Sequence, residues 1–202
     1  MKPLYFFLLV ALTGPTLAQE TTLVTPVFSQ IVAARMPEGF RAIYEDATAD
    51  SYILESIPRT ETLETWTRML TLTGTKGIGG REGAALGMAN ALADRYRSAC
   101  PDHLETAALP APDIPGAVEV FAAFLGCTTI PGSQPEAMVV LVMAANRDVY
   151  TLQWAERAAS KLSPVTYDLA DWAPRLDQLT TGTRLCKIVP GEAAPYPSCT
   201  NN

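Results

Sequence analysis

The chain has 202 residues, of which 48% are hydrophobic and 18% are charged, and its formal net charge is −6. An acidic chain without a run of Lys and Arg repels phosphate groups, so nucleic acid and anionic membranes are excluded as favoured partners. The length suits one domain with a sizeable core, and the apolar content argues against long disordered segments.

The N-terminal segment has the pattern of an export signal. Lys2 precedes the apolar run Leu4–Leu12, and the small residues Thr16 and Ala18 follow it. The run is too short to span a bilayer, so we expect a signal peptide over residues 1–18 and no membrane span in the mature chain. A buried N-terminal helix is the alternative. Cleavage after Ala18 predicts a periplasmic or secreted protein.

Four cysteines follow this segment, and in an oxidising compartment two disulfide bonds are expected. They are Cys100, Cys127, Cys186 and Cys199. Three pairings are possible; we favour Cys100 with Cys127 and Cys186 with Cys199, because these pairs close the smaller loops. A zinc site is the alternative, but the single histidine, His103, has a spacing from Cys100 that fits no tetrahedral template. We therefore expect no metal and no cofactor.

The first part of the mature chain predicts strands. Residues 19–39 look like an extended arm and a short apolar segment without a clear secondary structure. Alternating residues over 40–45 and 51–57 predict two antiparallel strands joined by a polar turn. Pro58 ends the second of them, and after a polar turn a third strand begins at Trp66.

A glycine-rich loop over residues 74–83 precedes a helix predicted over residues 83–99. The loop lacks the glycine spacing of dinucleotide and P-loop sites, so we interpret it as a flexible loop or lid. Residues 101–116 contain four prolines and are interpreted as a surface connection. Residues 118–127 predict a strand, with a buried helix as the alternative.

The remaining segments predict a hairpin, a helix and a tail. Residues 138–145 and 149–157 form the second predicted hairpin, whose first strand is apolar on both faces and therefore central. A helix begins near Asp171. The proline-rich ending after Val189 is predicted as an irregular tail, which the second disulfide bond keeps attached.

Together these elements predict an α+β fold. Residues 19–202 form a single disulfide-bonded domain, with an antiparallel sheet of five or six strands made of the two hairpins and the Trp66 strand. The helix over residues 83–99 and the helix near Asp171 cover this sheet.

The Trp66 strand places a row of threonines, interrupted by a methionine, on one face of the sheet. The row is Thr67, Met69, Thr71 and Thr73. Such a face is either covered by a helix or left open as a binding surface, and the sequence leaves both possibilities open. We treat these four residues as a possible binding face.

No arrangement of catalytic residues stands out. His103 is the single candidate base for a nucleophilic mechanism, and it lies in a predicted connection. Acidic residues around the first hairpin are the alternative, since two of them could converge as a carboxylate pair across a sheet face. They are Glu45, Asp46, Asp50, Glu55, Glu61 and Glu64.

Without catalytic residues, a non-enzymatic binding or interaction protein is favoured, with another exported or envelope protein as its partner. The alternative is a small ligand-binding or carboxylate-dependent hydrolytic protein. A pocket with two or more acids would favour the alternative, whereas a sealed face with an exposed apolar patch would favour the first.

The segment that begins at Ile57 has the pattern I-P-x-x-E-T-x-x-x-W-T-x-M-x-T. The matching residues are Ile57, Pro58, Glu61, Thr62, Trp66, Thr67, Met69 and Thr71. This pattern resembles that of small exported proteobacterial proteins of unknown function. The order of strands and helices is also similar to PsbP-like α/β sandwiches, an architectural likeness that implies no activity. Neither resemblance assigns a catalytic residue.

Overall fold

The structure is a computed structural model that describes residues 21–101, 104–127, 134–157 and 168–200. The predicted signal peptide over residues 1–18 and His103 lie outside the described residues. Ten strands and three helices are present within the described ranges.

The strands are β1 (Thr21–Val27), β2 (Gln30–Met36), β3 (Phe40–Ala47), β4 (Ser51–Pro58), β5 (Arg68–Thr75), β6 (Leu104–Leu109), β7 (Glu119–Cys127), β8 (Glu136–Ala144), β9 (Val149–Arg157) and β10 (Arg184–Lys187). The helices are α1 (Ala84–Ala99), α2 (Leu169–Thr180) and α3 (Pro197–Thr200).

In the described part of the chain, the strands form two antiparallel sheets. The larger sheet has seven strands in the order β3-β4-β5-β9-β8-β7-β6, and the smaller has three in the order β1-β2-β10. The smaller sheet and α2 pack on one face of the larger sheet and enclose the main core. The helix α1 packs on the opposite face.

The predicted α+β fold, with one sheet of five or six strands covered by two helices, is wrong. The described chain is mostly β, and its two longer helices lie on opposite faces of the larger sheet. Three segments that the sequence did not assign as strands account for the difference. Residues 21–36 form the hairpin β1–β2, residues 104–109 form β6, and residues 184–187 pair with β2 as β10.

The hairpin β1–β2 lacks the turn residues that mark a hairpin in a sequence. Its two-residue connection is Phe28 and Ser29, and Phe28 has a φ of 53°, which favours glycine. The Ser29 backbone N–H and hydroxyl donate hydrogen bonds to the Asp148 carboxylate, at 3.1 and 2.5 Å. The turn therefore depends on a residue 119 positions away, which no local pattern can show.

The two predicted hairpins are present as β3–β4 and β8–β9, and the segment interpreted as a strand rather than a helix forms β7. The third predicted strand begins at Arg68 rather than at Trp66. Trp66 is buried in the connection just before β5.

Disulfide bonds join Cys100 to Cys127 and Cys186 to Cys199. These are the two pairs that we predicted from the sequence because they close the smaller loops. The first bond ties the end of α1 to β7, and the second ties β10 to α3. Because such bonds persist in oxidising compartments, they indicate an extracytoplasmic protein.

The glycine-rich loop is fixed against the turn between β8 and β9, so its interpretation as a flexible lid is wrong. The backbone N–H of Gly79 donates to the Arg147 carbonyl at 2.9 Å, and that of Gly80 donates to the Ala145 carbonyl at 3.0 Å. A Cβ atom on Gly79 would lie 2.3 Å from the Ala145 carbonyl oxygen. The missing side chain thus permits the close approach of two backbones.

We predict that Gly79→Ala destabilises the fold by roughly 2 kcal/mol or more, because the new methyl group would overlap backbone atoms. Gly87→Ala is the matched control, since no described atom lies within 4 Å of its added Cβ. A glycine-to-alanine change inside a helix should stabilise by about 0.5–1 kcal/mol. Urea unfolding followed by circular dichroism measures both variants. Equal stability of Gly79→Ala and the parent would show that the loop is not pressed against the turn.

Asp148 connects the two sheets. Its side chain is 2% exposed, and besides the two bonds from Ser29 it accepts a hydrogen bond from the Gly77 N–H at 2.8 Å. The Tyr150 hydroxyl lies 3.4 Å from the same carboxylate and 3.0 Å from the Val27 carbonyl. Burial alone would raise the pKa of Asp148, but the hydrogen bonds outweigh burial and lower it.

Replacing Asp148 by Asn should destabilise the protein by about 2–3 kcal/mol at neutral pH, because the new amide N–H₂ opposes donors that need an acceptor. The pKa of Asp148 is lower in the folded protein than in the unfolded chain. Its stabilisation is therefore complete above the unfolded-state pKa and is lost as the pH falls through the folded-state pKa.

Denaturant unfolding between about pH 3 and pH 7 tests this prediction. The difference in the free energy of unfolding between the parent and Asp148→Asn should become smaller below about pH 4. Asp113 is exposed, so Asp113→Asn is the control and should change the free energy of unfolding by less than about 0.5 kcal/mol. A difference of constant size across the whole range would mean that the Asp148 charge does not stabilise the fold.

Candidate binding groove

The helix α1 covers only part of one face of the larger sheet. It packs on β7 and β8 with Ala85 and Ala89 buried against them. A groove of about 610 Å³ lies between the flank of α1 and the neighbouring strands β4, β5, β8 and β9. The groove is partly open to solvent, which distinguishes it from the closed core on the opposite face.

The strand register fixes the floor of the groove, because residues opposite one another in a sheet point to the same face. Three rows cross the strands: Glu55 with Thr71 and Gln153, Ile53 with Thr73 and Thr151, and Met69 with Ala155 and Met138. Within these rows the Thr73 and Thr151 hydroxyls are 2.7 Å apart, and the Gln153 amide nitrogen donates to the Thr151 hydroxyl at 2.9 Å. The floor therefore places a polar strip beside an apolar one.

Three of the four residues of the possible binding face line this groove, namely Met69, Thr71 and Thr73. Thr67 does not, because it precedes β5 and closes the loop between β4 and β5. Its backbone N–H and hydroxyl each donate to the Glu61 carboxylate at 2.7 Å. The row that the sequence left open thus lies beside α1, with Met69 and Thr71 buried and Thr73 half-buried.

The residues of the I-P-x-x-E-T-x-x-x-W-T-x-M-x-T pattern shape the connection at one end of the groove. Trp66 is buried, and the Arg157 guanidinium lies 3.8 Å from the centre of its ring. This contact is a cation–π interaction. Together with the Glu61 bonds to Thr67, it fixes the segment that leads into β5.

Among the described residues, two carboxylates line the groove, from Glu55 and Glu136. Glu136 accepts a hydrogen bond from the Tyr96 hydroxyl at 2.8 Å and one from the Arg157 Nε at 3.4 Å. No hydrogen bond or salt bridge within the described chain reaches the Glu55 carboxylate. Partial burial raises the pKa of Glu55, and the nearby charge of Glu136 raises it further.

The helix contributes the opposite wall of the groove through Met88, Leu92, Arg95 and Tyr96. Burial raises the pKa of Tyr96 well above its usual range, and the charge of Glu136 adds to this effect. The bond between Tyr96 and Glu136 joins the C-terminal half of α1 to the start of β8. The helix therefore forms a fixed wall rather than a mobile cover.

The other acids that the sequence singled out do not line the groove. Glu61 and Glu64 lie in the loop between β4 and β5, and Glu45 accepts a hydrogen bond from the Tyr52 hydroxyl at 2.8 Å. Asp46 is exposed on the neighbouring strand β3, and Asp50 lies in the β3–β4 turn. Sequence reasoning missed Glu136, Arg95 and Tyr96, because nothing local shows that β8 and α1 lie beside β4 and β5.

Metal ligands do not converge in the part of the chain that the structure describes, where no three His, Cys, Asp or Glu side chains form a group able to hold an ion. None of the helices in the described ranges is both long and apolar enough to cross a bilayer.

No protein-family profile matches the chain, and no curated protein matches it in a sequence comparison. Among solved structures, it is similar to the crystal structure of LpqN, involved in cell envelope biogenesis of Mycobacterium tuberculosis. The two share 8% sequence identity over 83% of this chain and 91% of that chain, with a TM-score of 0.39. A likeness at this level carries no argument about function.

We predict that Glu55→Gln stabilises the protein by about 0.5 kcal/mol at neutral pH, a small value because solvent screens a half-buried group. The pKa of Glu55 is higher in the folded protein than in the unfolded chain. Its charge therefore costs stability above the folded-state pKa, and this cost disappears as the pH falls below the unfolded-state pKa. Unfolding midpoints of the parent and variant should converge under acid conditions. A variant less stable than the parent at neutral pH would contradict this account of Glu55.

Proposed function

We propose that the protein is an exported binding protein that receives a small ligand in the groove between α1 and strands β4, β5, β8 and β9. The observation that carries this proposal is a groove of about 610 Å³ whose Glu55 carboxylate has no hydrogen bond or salt bridge to any described residue. Ligand sites in proteins have this size and combine apolar walls with a few polar groups. Among the described residues the walls are apolar at Met69, Met88 and Leu92 and polar along the Glu55 row.

Export is proposed from the N-terminal pattern together with the disulfide bonds. The apolar run Leu4–Leu12 and the small residues before Gln19 support a signal peptide cleaved after Ala18. The two disulfide bonds support an oxidising destination, which is periplasmic or secreted. Another exported or envelope protein is the partner we propose for this ligand-binding protein.

The two carboxylates of the groove also support carboxylate-dependent hydrolysis as a second candidate. Their surroundings differ, since Glu136 is held by Tyr96 and Arg157 whereas Glu55 has no partner among the described residues. Hydrolases use such unlike pairs as general acid and base. Binding is favoured over hydrolysis because the hydrogen bonds of Glu136 fix α1 to the sheet, which explains its position without catalysis.

Filling the groove should abolish binding of a neutral apolar probe, the fluorophore N-phenyl-1-naphthylamine. Ala91 lines the groove from α1 and is exposed, so Ala91→Trp should place an indole in the groove without disturbing the core. We expect the dissociation constant of the fluorophore to rise by about tenfold or more, the equivalent of about 1.4 kcal/mol.

The matched control is Asn90→Trp, since Asn90 is exposed on the same helix and does not line the groove. This control should bind the fluorophore as the parent does. Equal loss in both variants, or no binding by the parent, would refute the groove as a binding site. Hydrolysis of nitrophenyl glycosides or esters that is lost in Glu55→Gln would instead favour the second candidate.

A further inference from the structure

We infer that the ligand is a small amphipathic amine, whose protonated ammonium group binds at Glu55 and whose apolar body lies along Met69, Met88 and Leu92. This inference rests on the proposed binding function and names the chemical class of the ligand. It is carried by the acceptors that converge on the groove floor, the charges around them and the apolar wall beside them.

Three side chains with hydrogen-bond acceptors lie side by side on the groove floor. Glu55, Thr71 and Gln153 are directly opposite one another on β4, β5 and β9, so their side chains share one patch of the floor. Gln153 uses its amide nitrogen on Thr151, which leaves its amide oxygen as an acceptor. The row thus offers carboxylate, hydroxyl and amide oxygens side by side. A primary ammonium group has three N–H donors and no acceptor, and it matches such a row.

The charge of the Glu55 carboxylate is not balanced by any described residue. In the described chain the Glu55 carboxylate has no hydrogen bond and no salt bridge, and the groove-lining Arg95 does not pair with it. Glu136 pairs with Arg157 and accepts a hydrogen bond from Tyr96, and its negative charge still repels that of Glu55. A bound cation would relieve both the burial and the repulsion of Glu55, whereas an anion would increase them.

Apolar side chains from the sheet and from α1 lie beside the Glu55 row. Met69 and Met138 lie in the row next to Glu55 and Gln153, and Met88 and Leu92 face them from α1. Methionine side chains are flexible and polarisable, so they fit apolar groups of varied shape. An ammonium group at Glu55 therefore has an apolar surface within reach of a short alkyl chain.

Titration calorimetry with the disulfide-bonded, exported protein tests the inference with four probes that each have an eight-carbon chain: octylamine, octyltrimethylammonium, octan-1-ol and octanoate. We expect octylamine to bind at least about tenfold more tightly than octan-1-ol, the equivalent of about 1.4 kcal/mol. Octyltrimethylammonium carries the charge without N–H donors and should bind more weakly than octylamine. Octanoate should bind most weakly.

Glu55→Gln keeps the size and polarity of the side chain and should reduce octylamine affinity about tenfold while octan-1-ol binding stays unchanged. Glu64→Gln, on the exposed loop outside the groove, is the control and should match the parent. Octylamine stays protonated between about pH 4 and pH 7, where carboxyl groups titrate. Its affinity should therefore fall on acidification in the parent and stay constant in Glu55→Gln.

The titratable and charged side chains around Glu55 come from three elements besides its own strand. They are Glu136 on β8, Arg95 and Tyr96 on α1, and Tyr44 and Asp46 on β3. None of them is changed in Glu55→Gln, so the difference between parent and variant isolates Glu55.

Equal affinity for octylamine and octan-1-ol, or an unchanged affinity in Glu55→Gln, would overturn the inference. If the neutral fluorophore still binds and Ala91→Trp still blocks it, the proposed binding function stands and only the ammonium ligand is wrong. If neither the fluorophore nor any octyl compound binds, both proposals fail.

Discussion

The structure depends on one buried carboxylate, that of Asp148. It accepts hydrogen bonds from the turn of the smaller sheet through Ser29 and from the glycine-rich loop after β5 through Gly77. These bonds hold the smaller sheet against the larger one, so the core between the two sheets is closed. The opposite face of the larger sheet is covered only in part, by α1, and the groove lies where that cover ends.

Asp148 and Glu55 show how surroundings decide the role of a carboxylate. Asp148 is more buried, yet its donors lower its pKa and its charge stabilises the fold. Glu55 has no donor among the described residues, and burial with the charge of Glu136 raises its pKa. Its charge therefore costs stability, and proteins often accept such a cost where a side chain serves binding. The acceptor row and the apolar wall beside Glu55 are the basis for the amine ligand that we propose.

Local patterns predicted the elements that are specified locally. The alternation in β4 and β5, the spacing in α1 and the loop lengths of the cysteine pairs were readable, and so was the row of Met69, Thr71 and Thr73. The hairpin β1–β2 was not, because its turn at Phe28 depends on Asp148. Glu136 joins the groove only because β8 lies beside β9, a long-range pairing that no local pattern shows.

Methyl spectra of the methionines test the central claim, that the groove beside α1 binds a ligand, most directly. Met69, Met88 and Met138 line the groove, whereas Met36 and Met143 belong to the core on the other face of the larger sheet. With ¹³C-methyl methionine labelling, octylamine should shift the signals of the first three and leave the last two unchanged. Shifts confined to Met36 and Met143, or no shifts at saturating octylamine, would contradict the account.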